Sequence, residues 1–305
     1  MNAQASTSFA DAVASVRPLT QGLKLWLDRS LIAVAVVFVL LVVVLPLALV
    51  IVEAFGAGAG VFVRAVLSEE TFSALALTLA CSLVALPLTI VFGIAAAWAV
   101  VKCNFPGRSI MLTLIDIPFS ISPVVAGMMI VLLIGRQGPL GPVLDAMDIQ
   151  VLYTPAAIVI ALILVTLPFV AREVIPLMQA QGREEEEAAL SLGASGWQTL
   201  FRVSLPNIRW AMLHGALLAW ARAIGDFGAV SIVSGHIERS TMTLPLQVES
   251  LHSEFRFTEA FAVATVLIII STVVAMVKWW LSTRMNDQQD NTAAAGQAQG
   301  ANHVH

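Results

Sequence analysis

Two residues of opposite charge, Arg222 and Asp226, stand four positions apart inside an apolar stretch of the chain. Residues at this spacing lie on the same face of a helix, so the two side chains can form an ion pair. An ionisable residue inside a membrane helix is costly and marks a functional site by default. Two interpretations stay open: the pair fixes helix packing, or Arg222 contacts an anion that crosses the membrane.

Another unusual set of residues lies in the sequence DIPFSISPVVAG. Asp116 contributes a carboxylate, Pro118 and Pro123 each remove a backbone donor, and Gly127 adds a small residue. Backbone groups that proline frees in a membrane helix must be satisfied by neighbouring helices or by a water-filled cavity. Interrupted helices often line substrate sites. The stretch therefore predicts part of a translocation pathway, with simple helix kinking as the alternative.

The remaining candidates for catalysis or metal binding are weak. His236 and His252 lie near glutamates but lack the four-residue spacing of a helical metal site. The chain contains neither H-E-x-x-H nor G-x-S-x-G. None of its three lysines follows a glycine, so the P-loop pattern for ATP hydrolysis is missing. We expect no cofactor, no metal ion, no nucleic-acid partner and no ATPase site of its own.

The most polar internal segment, residues 180–208, carries four consecutive glutamates. Glu184–Glu187 fit the first turn of a helix, where negative charge offsets the positive end of the helix dipole. Gly193 is placed to stop that helix in a left-handed conformation. The segment is thus predicted to begin with one short acidic helix.

A second short helix is predicted to follow. Ser195 and Gln198 have the spacing of a capping box at its start, and Leu205 before Pro206 is expected to end it. A loop lying on the membrane surface is the alternative, but such helices favour Lys and Arg on their polar face. A small apolar patch framed by acids is better suited to a groove on another protein.

Membrane helices are the elements that must position these residues. Of 305 residues, 58% are hydrophobic and 12% are charged, and the mean hydropathy is +0.88. Soluble domains carry about 25% charged residues. Six apolar segments are long enough for the roughly 30 Å hydrocarbon core. They cover about residues 31–53, 72–101, 110–134, 155–178, 210–235 and 259–283. The sequence therefore predicts an all-α, polytopic membrane protein with six transmembrane helices.

The distribution of basic residues predicts the orientation. With the N-terminus inside, eleven Lys and Arg residues lie on the cytoplasmic side and four on the outer side, as the positive-inside rule requires. Residues 1–30 are then a cytoplasmic segment, and residues 31–285 are the transmembrane domain with its cytoplasmic loop. Residues 286–305, rich in Ala, Gly, Gln and Asn, are predicted to be a disordered tail. Both termini are expected in the cytoplasm.

The sequence EAALSLGASGWQTLFRVSLP resembles the signature loop of bacterial ABC-importer permeases. Valine stands at one position where isoleucine is usual. The matching residues are Glu187, Ala188, Ala189, Gly193, Val203, Leu205 and Pro206. In that family the loop is the coupling helix, which fits into a cleft on the ATP-hydrolysing subunit. The resemblance implies the type I ABC-importer permease fold and two copies of a separate ATPase subunit.

Further matches, ARAIGDFGAVSIVSGHI and TMTLPL, are similar to the oxyanion branch of this family, which carries sulfate, thiosulfate, molybdate and tungstate. The resemblance runs from about Phe72 to Arg284 and is greatest to one of two paired sulfate/thiosulfate permeases. It implies a second homologous permease subunit, a periplasmic sulfate-binding protein and a location in the bacterial inner membrane. Asp226 stands where the motif usually has glutamate, which keeps the charge but shortens its reach.

Other functions remain open at this stage. Sulfate, thiosulfate and molybdate are not distinguished, and an ion-coupled secondary transporter or a membrane enzyme is a less favoured alternative. Moving a dianion through hydrocarbon unaided would cost tens of kcal/mol. A pathway must therefore supply dipoles and cations, and Arg222 is the cation that the sequence analysis places inside a span.

Overall fold

The computed structural model describes the backbone of residues 27–302 and the side chains of residues 27–283, so residues 1–26 of the predicted cytoplasmic segment lie outside the described range. Every regular element in that range is a helix, which confirms the all-α class. The helices are α1 (Leu27–Ala54), α2 (Ala59–Val66), α3 (Glu69–Lys102), α4 (Arg108–Ser120), α5 (Pro123–Ile134), α6 (Gly141–Ala146), α7 (Pro155–Gln181), α8 (Glu184–Ser191), α9 (Gly196–Ile224), α10 (Gly228–Ser234), α11 (Leu244–Ser253) and α12 (Phe257–Asn302).

Three helices, α3, α7 and α9, pack against one another at the centre of the bundle. Small side chains allow this close packing, as is usual between membrane helices. At Gly93 on α3, an added Cβ would lie 2.7 Å from the Cβ of Val170 on α7. Ser68 begins α3 by accepting a hydrogen bond from the Thr71 backbone N–H. The core of the protein thus lies along α7.

Four of the described helices are long and apolar enough to cross a bilayer alone: α1, α3, α7 and the part of α12 up to Thr283. Two bent pairs satisfy the same criterion jointly. The axes of α4 and α5 differ by 112°, and those of α9 and α10 by 56°. Among the described residues, the predicted six spans are therefore reached when each bent pair counts as one.

The predicted third span is broken in the middle. With 13 and 12 residues, α4 and α5 are each roughly 20 Å long, shorter than the hydrocarbon core. Pro123 is the first residue of α5, because proline cannot continue the preceding helix but fits a first turn. Pro118 lies inside α4 without ending it.

The two halves of the broken span contact opposite ends of α7. On α4, Ile115 packs near the C-terminal part of α7 in a cluster with Val174. On α5, Ile130 packs near the N-terminal part of α7 in a cluster with Ala157. The two half-length helices therefore cover opposite ends of the same long helix.

The prediction that a short helix ends at Leu205 and Pro206 is wrong. The helix that begins at Gly196 continues to Ile224. A wider π-helical segment, Leu200–Ser204, precedes the proline, and Leu205 N–H bonds to the carbonyl of Leu200. This extra residue in the turn accommodates a proline that would otherwise clash with the preceding turn.

The C-terminal segment also differs from its prediction. Residues 286–302, expected to be disordered, continue α12 as helix. Alanine and glutamine, frequent in this stretch, have high helix propensity, and the helix starts from a long apolar segment. Residues 303–305 lie outside the described range.

Candidate functional site

The acidic helix α8 begins and ends as its sequence predicts. All four glutamates lie in its first turn. Gly193 has φ +88°, a left-handed conformation that favours glycine. The backbone N–H of Ala194 bonds to the carbonyl of Ala189, and that of Gly193 to the carbonyl of Leu190, both at 3.0 Å. These two bonds form a Schellman motif, which satisfies the last carbonyls of the helix.

The predicted capping box at the start of α9 is confirmed. The Ser195 hydroxyl accepts a hydrogen bond from the Gln198 backbone N–H, and the Gln198 side-chain oxygen accepts one from the Ser195 backbone N–H. The chain therefore reverses direction between α8 and α9 in a defined geometry.

Large apolar side chains are exposed where the two helices meet. Leu192 is 88% exposed and Trp197 73%. The ring of Phe201 stacks on that of Trp197 with centroids 6.0 Å apart. Glu187 and Ala188 of the signature are exposed, and Ala189, Val203 and Leu205 are half-buried. A contiguous exposed apolar patch of this kind marks an interaction surface.

Two of the four glutamates bond to other parts of the protein, which the sequence pattern did not indicate. Glu186 lies 3.0 Å from Nζ of Lys102 at the end of α3, and both side chains are largely buried. Its other oxygen accepts a hydrogen bond from Ser204 in the π-helical segment. Glu185 accepts a hydrogen bond from the amide of Asn207. The acidic helix is thereby fixed to α3 and to α9.

A second connection ties the same loop to the end of α3. Nζ of Lys102 donates to the carbonyl of Gly182 at 2.7 Å, and Nη2 of Arg183 donates to the carbonyl of Lys102 at 2.8 Å. The partners are about 80 positions apart in the chain, so no local spacing could have indicated them.

Arg222 and Asp226 form the ion pair that their spacing allows. Nη1 of Arg222 lies 2.9 Å from Oδ1 of Asp226. The aspartate side chain has no exposed surface, whereas the arginine is about one-third exposed. The other carboxylate oxygen of Asp226 accepts a hydrogen bond from the Ala229 backbone N–H in the first turn of α10. Asp226 therefore holds the bend between α9 and α10.

The bends of the two broken spans lie next to each other. A Cβ added to Gly127 on α5 would lie 2.7 Å from the carbonyl oxygen of Ala229 on α10. A Cβ added to Gly228 would lie 2.8 Å from the Cβ of Pro123. Both glycines thus permit α5 and α10 to approach backbone to backbone at the point where each helix begins.

Asp116 has a partner that the sequence analysis placed elsewhere. Nε of Arg172 on α7 lies 2.7 Å from Oδ1 of Asp116. Arg172 is one of the eleven basic residues that the orientation predicted above places on the cytoplasmic side, but it lies nine residues before the end of α7, about 13 Å along the helix axis. Arg172 therefore joins Arg222 as a cation within a helix that is part of a candidate span.

Two histidines were considered for metal binding: His236 lies between α10 and α11, and His252 lies in α11. Nε2 of His236 is 3.9 Å from a carboxylate oxygen of Glu249, and the ring of His252 packs edge-on against Phe257. Within residues 27–283, no group of three or more His, Cys, Asp or Glu side chains could hold a metal ion.

Residues 89–287, which contain the signature loop and the pairs of Arg222 with Asp226 and of Arg172 with Asp116, match the family described as the inner membrane component of binding-protein-dependent transport systems. The chain belongs to this family. It is therefore a multi-pass membrane permease subunit of an ABC transporter, as the signature loop predicted.

Several relatives of this inner membrane component are named as sulfate permeases. The sulfate transport system permease protein CysW of Escherichia coli (strain K12) is 47% identical over 220 residues, which are 72% of this chain and 76% of the relative. CysW of Synechococcus elongatus is 48% identical over 227 residues, 74% of this chain and 79% of the relative. CysT of Escherichia coli (strain K12) is 34% identical over 209 residues, 68% and 76% of the two chains.

Chains in solved structures of bacterial ABC transporters share the fold. A crystal structure of a bacterial alginate ABC transporter, in complex with an alginate pentasaccharide-bound periplasmic protein, superposes with a TM-score of 0.71 at 18% identity and covers 85% of this chain and 95% of that chain. A second crystal structure, of a bacterial ABC transporter that imports alginate, gives a TM-score of 0.72 at 18% identity, with 85% and 96% covered. At this identity the likeness shows the fold alone.

Proposed function

We propose that this permease subunit carries sulfate or thiosulfate across the bacterial inner membrane into the cytoplasm, driven by ATP hydrolysis in a separate subunit. The observation that carries the proposal is the 47–48% identity, over about three-quarters of the chain, to permeases named for sulfate transport. Molybdate or tungstate transport is less favoured, since the relatives compared above are named for sulfate.

The exposed patch formed by Leu192, Trp197 and Phe201 is the surface that docks the ATPase. It is apolar, stands at the tip of a rigid turn and is framed by Glu187 and its neighbours, which suits a groove on a soluble partner. Two ATPase copies serve two permease subunits, one copy on each loop. The subunit itself supplies no ATPase site.

Helix α9 connects the docking surface to the membrane interior. Trp197 lies in its first turn and Arg222 in its last, roughly 40 Å away along one continuous helix. The ion pair of Glu186 with Lys102 and the hydrogen bond from Ser204 to Glu186 hold the loop against α3 and α9. When the ATPase displaces the loop, the loop and α9 therefore move together, without a flexible linker between them.

The pathway residues divide into two groups. Asp116 has an exposed side chain and that of Arg222 is about one-third exposed, and both face the path of the anion. Pro118, Pro123, Gly127 and Asp226 shape it: the prolines lie in or begin the half-length helices, and Gly127 and Asp226 are buried at the bend. The second wall of the pathway comes from a second, homologous permease subunit, and a periplasmic sulfate-binding protein delivers the anion.

Complementation in the host tests the substrate. Deleting the gene should abolish growth on sulfate as the sulfur source, and an intact copy should restore it. The same strain should keep its molybdate-dependent enzyme activity throughout. Growth on sulfate without the gene, together with loss of molybdate-dependent activity, would reject the sulfate assignment in favour of molybdate.

A further inference from the structure

Arg172 lies within the span-length helix α7, nine residues before its C-terminal end, and its side chain is open. It is 44% exposed and its partner Asp116 is 47% exposed, whereas Asp226 is fully buried. Charged residues in membrane helices almost always face a bundle interior or a water-filled cavity, because facing hydrocarbon is costly. The face of α4 and α7 that carries Arg172 and Asp116 is therefore an inner face of the assembled permease.

The guanidinium of Arg172 is held at one end and open at the other. Nε donates to Oδ1 of Asp116 at 2.7 Å, and Cζ lies 4.2 Å from the ring centroid of Phe119. That ring is itself fixed edge-on against Phe169, with centroids 5.9 Å apart. Within residues 27–283, the two terminal amino groups of Arg172 donate no hydrogen bond. A planar guanidinium presented in this way suits two oxygens of an oxyanion.

Nearby hydroxyl groups are already used by the backbone. Thr113 donates to the carbonyl of Ser109 and Ser120 to that of Asp116. The carboxylate of Asp116 makes the pair neutral overall, so a dianion is attracted by the guanidinium and repelled by the carboxylate. Weak binding of this kind suits a transport pathway, because an ion must leave a site as readily as it enters.

We propose that Arg172 contacts the oxyanion during translocation and that Asp116 is its counter-ion, whose carboxylate is displaced from the guanidinium as the anion passes. This role rests on the proposed function and adds to it a substrate-contacting residue. The same side chain could instead bind the second permease subunit, and the experiment below separates the two roles.

The test uses the complete transporter reconstituted in proteoliposomes with its ATPase, its second permease and its binding protein. Four variants are compared: Arg172→Gln, Asp116→Asn, the double variant, and Arg64→Gln, which removes an exposed cation on α2. Initial rates of ATP-driven labelled sulfate uptake and recovery of the second permease on purification are both measured.

A lost charge-assisted contact reduces a rate by about tenfold or more, so we expect Arg172→Gln to lower sulfate uptake by that factor. Asp116→Asn keeps the cation but removes the carboxylate that helps the anion leave, so it should lower uptake less than Arg172→Gln does, and Arg64→Gln should match the wild type. The double variant should transport as poorly as Arg172→Gln, although it strands no charge. All four should recover the second permease equally.

Recovery of transport in the double variant would overturn the proposal, because a purely structural pair tolerates joint removal better than single removal. Loss of the second permease from the Arg172→Gln complex, or failure of the double variant to assemble, would assign the pair to the subunit interface or to packing and would also overturn it. Absence of sulfate uptake by the wild-type complex is a different result, which would reject the proposed function itself.

Discussion

At the scale of single residues, two arginine–aspartate pairs differ in their burial. Arg222 pairs with Asp226 and Arg172 with Asp116, but the first aspartate is buried and the second is exposed. Removing one member of a buried pair strands a charge, whereas removing both is often nearly neutral. The two pairs should therefore respond differently to mutation, even though both combine arginine with aspartate.

Arg222→Leu alone should damage assembly, because it strands the buried carboxylate of Asp226 at a cost of about 3–5 kcal/mol. The double variant Arg222→Leu with Asp226→Leu should assemble yet lose most sulfate uptake, because the cation that offsets the desolvation of the dianion is gone. Purification of the complex and uptake in proteoliposomes measure the two effects. Near-normal uptake by the double variant would reject a pathway role for Arg222 and leave it a packing residue.

Gly193 tests the docking surface. Its φ of +88° disfavours any side chain by roughly 1 kcal/mol, but no atom lies within 4 Å of an added Cβ. Gly193→Asp should therefore insert normally and, by placing a charge beside Leu192, weaken ATPase docking and abolish uptake. Gly193→Ala carries the same backbone strain without the charge and should be milder. Co-purification with the ATPase is the measurement, and wild-type transport by Gly193→Asp would contradict the docking role.

Local spacing predicts only some of these residues. The left-handed Gly193 and the capping box of Ser195 and Gln198 follow from patterns within a few positions, because short-range backbone bonds determine them. The pairs of Arg172 with Asp116 and of Lys102 with Glu186 join positions 56 and 84 apart in the chain. Tertiary packing creates them, and a single sequence carries no signal for that contact.

At the scale of elements, the function depends on a helix that contains a proline and still continues past it. The π-helical segment Leu200–Ser204 lets α9 continue past Pro206, so the coupling surface and Arg222 share one helix. The rule that proline ends a preceding helix failed here because the wider turn removes the steric conflict. The same rule held at Pro123, where α5 begins after a true break.

The role of the ion pair between Lys102 on α3 and Glu186 in the coupling loop can be tested by exchanging the two charges. Lys102→Glu places a carboxylate against Glu186, which should detach the loop and reduce ATP-driven uptake several-fold, because the repulsion arises between largely buried groups. Adding Glu186→Lys should restore part of the uptake by re-forming the pair in reverse. Recovery stays partial, since lysine cannot accept the hydrogen bond from Ser204.

Uptake and ATP hydrolysis are measured together for Lys102→Glu and for the exchanged pair, Lys102→Glu with Glu186→Lys. We expect ATP hydrolysis to continue without transport in Lys102→Glu. In the exchanged pair, hydrolysis should again be coupled to transport. Equal uptake in the wild type, the single variant and the exchanged pair would contradict a coupling role for the Lys102–Glu186 ion pair.

For the whole molecule, the packing agrees with a chain that crosses the membrane repeatedly. Lys102 at the end of α3 touches Gly182 after α7, so the loops that follow these two helices lie on the same side. Composition was sufficient to predict the class, because too few charges are present to coat a soluble globule. The bends of 112° and 56° were not predictable from hydropathy, which registers length and polarity but not direction.

The orientation is tested with a reporter that is active only outside the cytoplasm. Fused after Arg284, the reporter should be silent. Fused near Gly138, in the connection between α5 and α6, it should be active, because most Lys and Arg residues lie in the loops of the other, cytoplasmic side. The reverse pattern would overturn the proposed orientation of both termini and place the coupling loop outside.

The central claim is that this chain moves sulfate only when a separate ATPase works on its coupling loop. The most direct measurement is the accumulation of labelled sulfate in proteoliposomes that contain the complete transporter and loaded binding protein, with ATP or a non-hydrolysable analogue on the ATPase side. The account predicts accumulation with ATP and none with the analogue, whatever ion gradient is imposed. Sulfate accumulation driven by a proton or sodium gradient without ATP would contradict it.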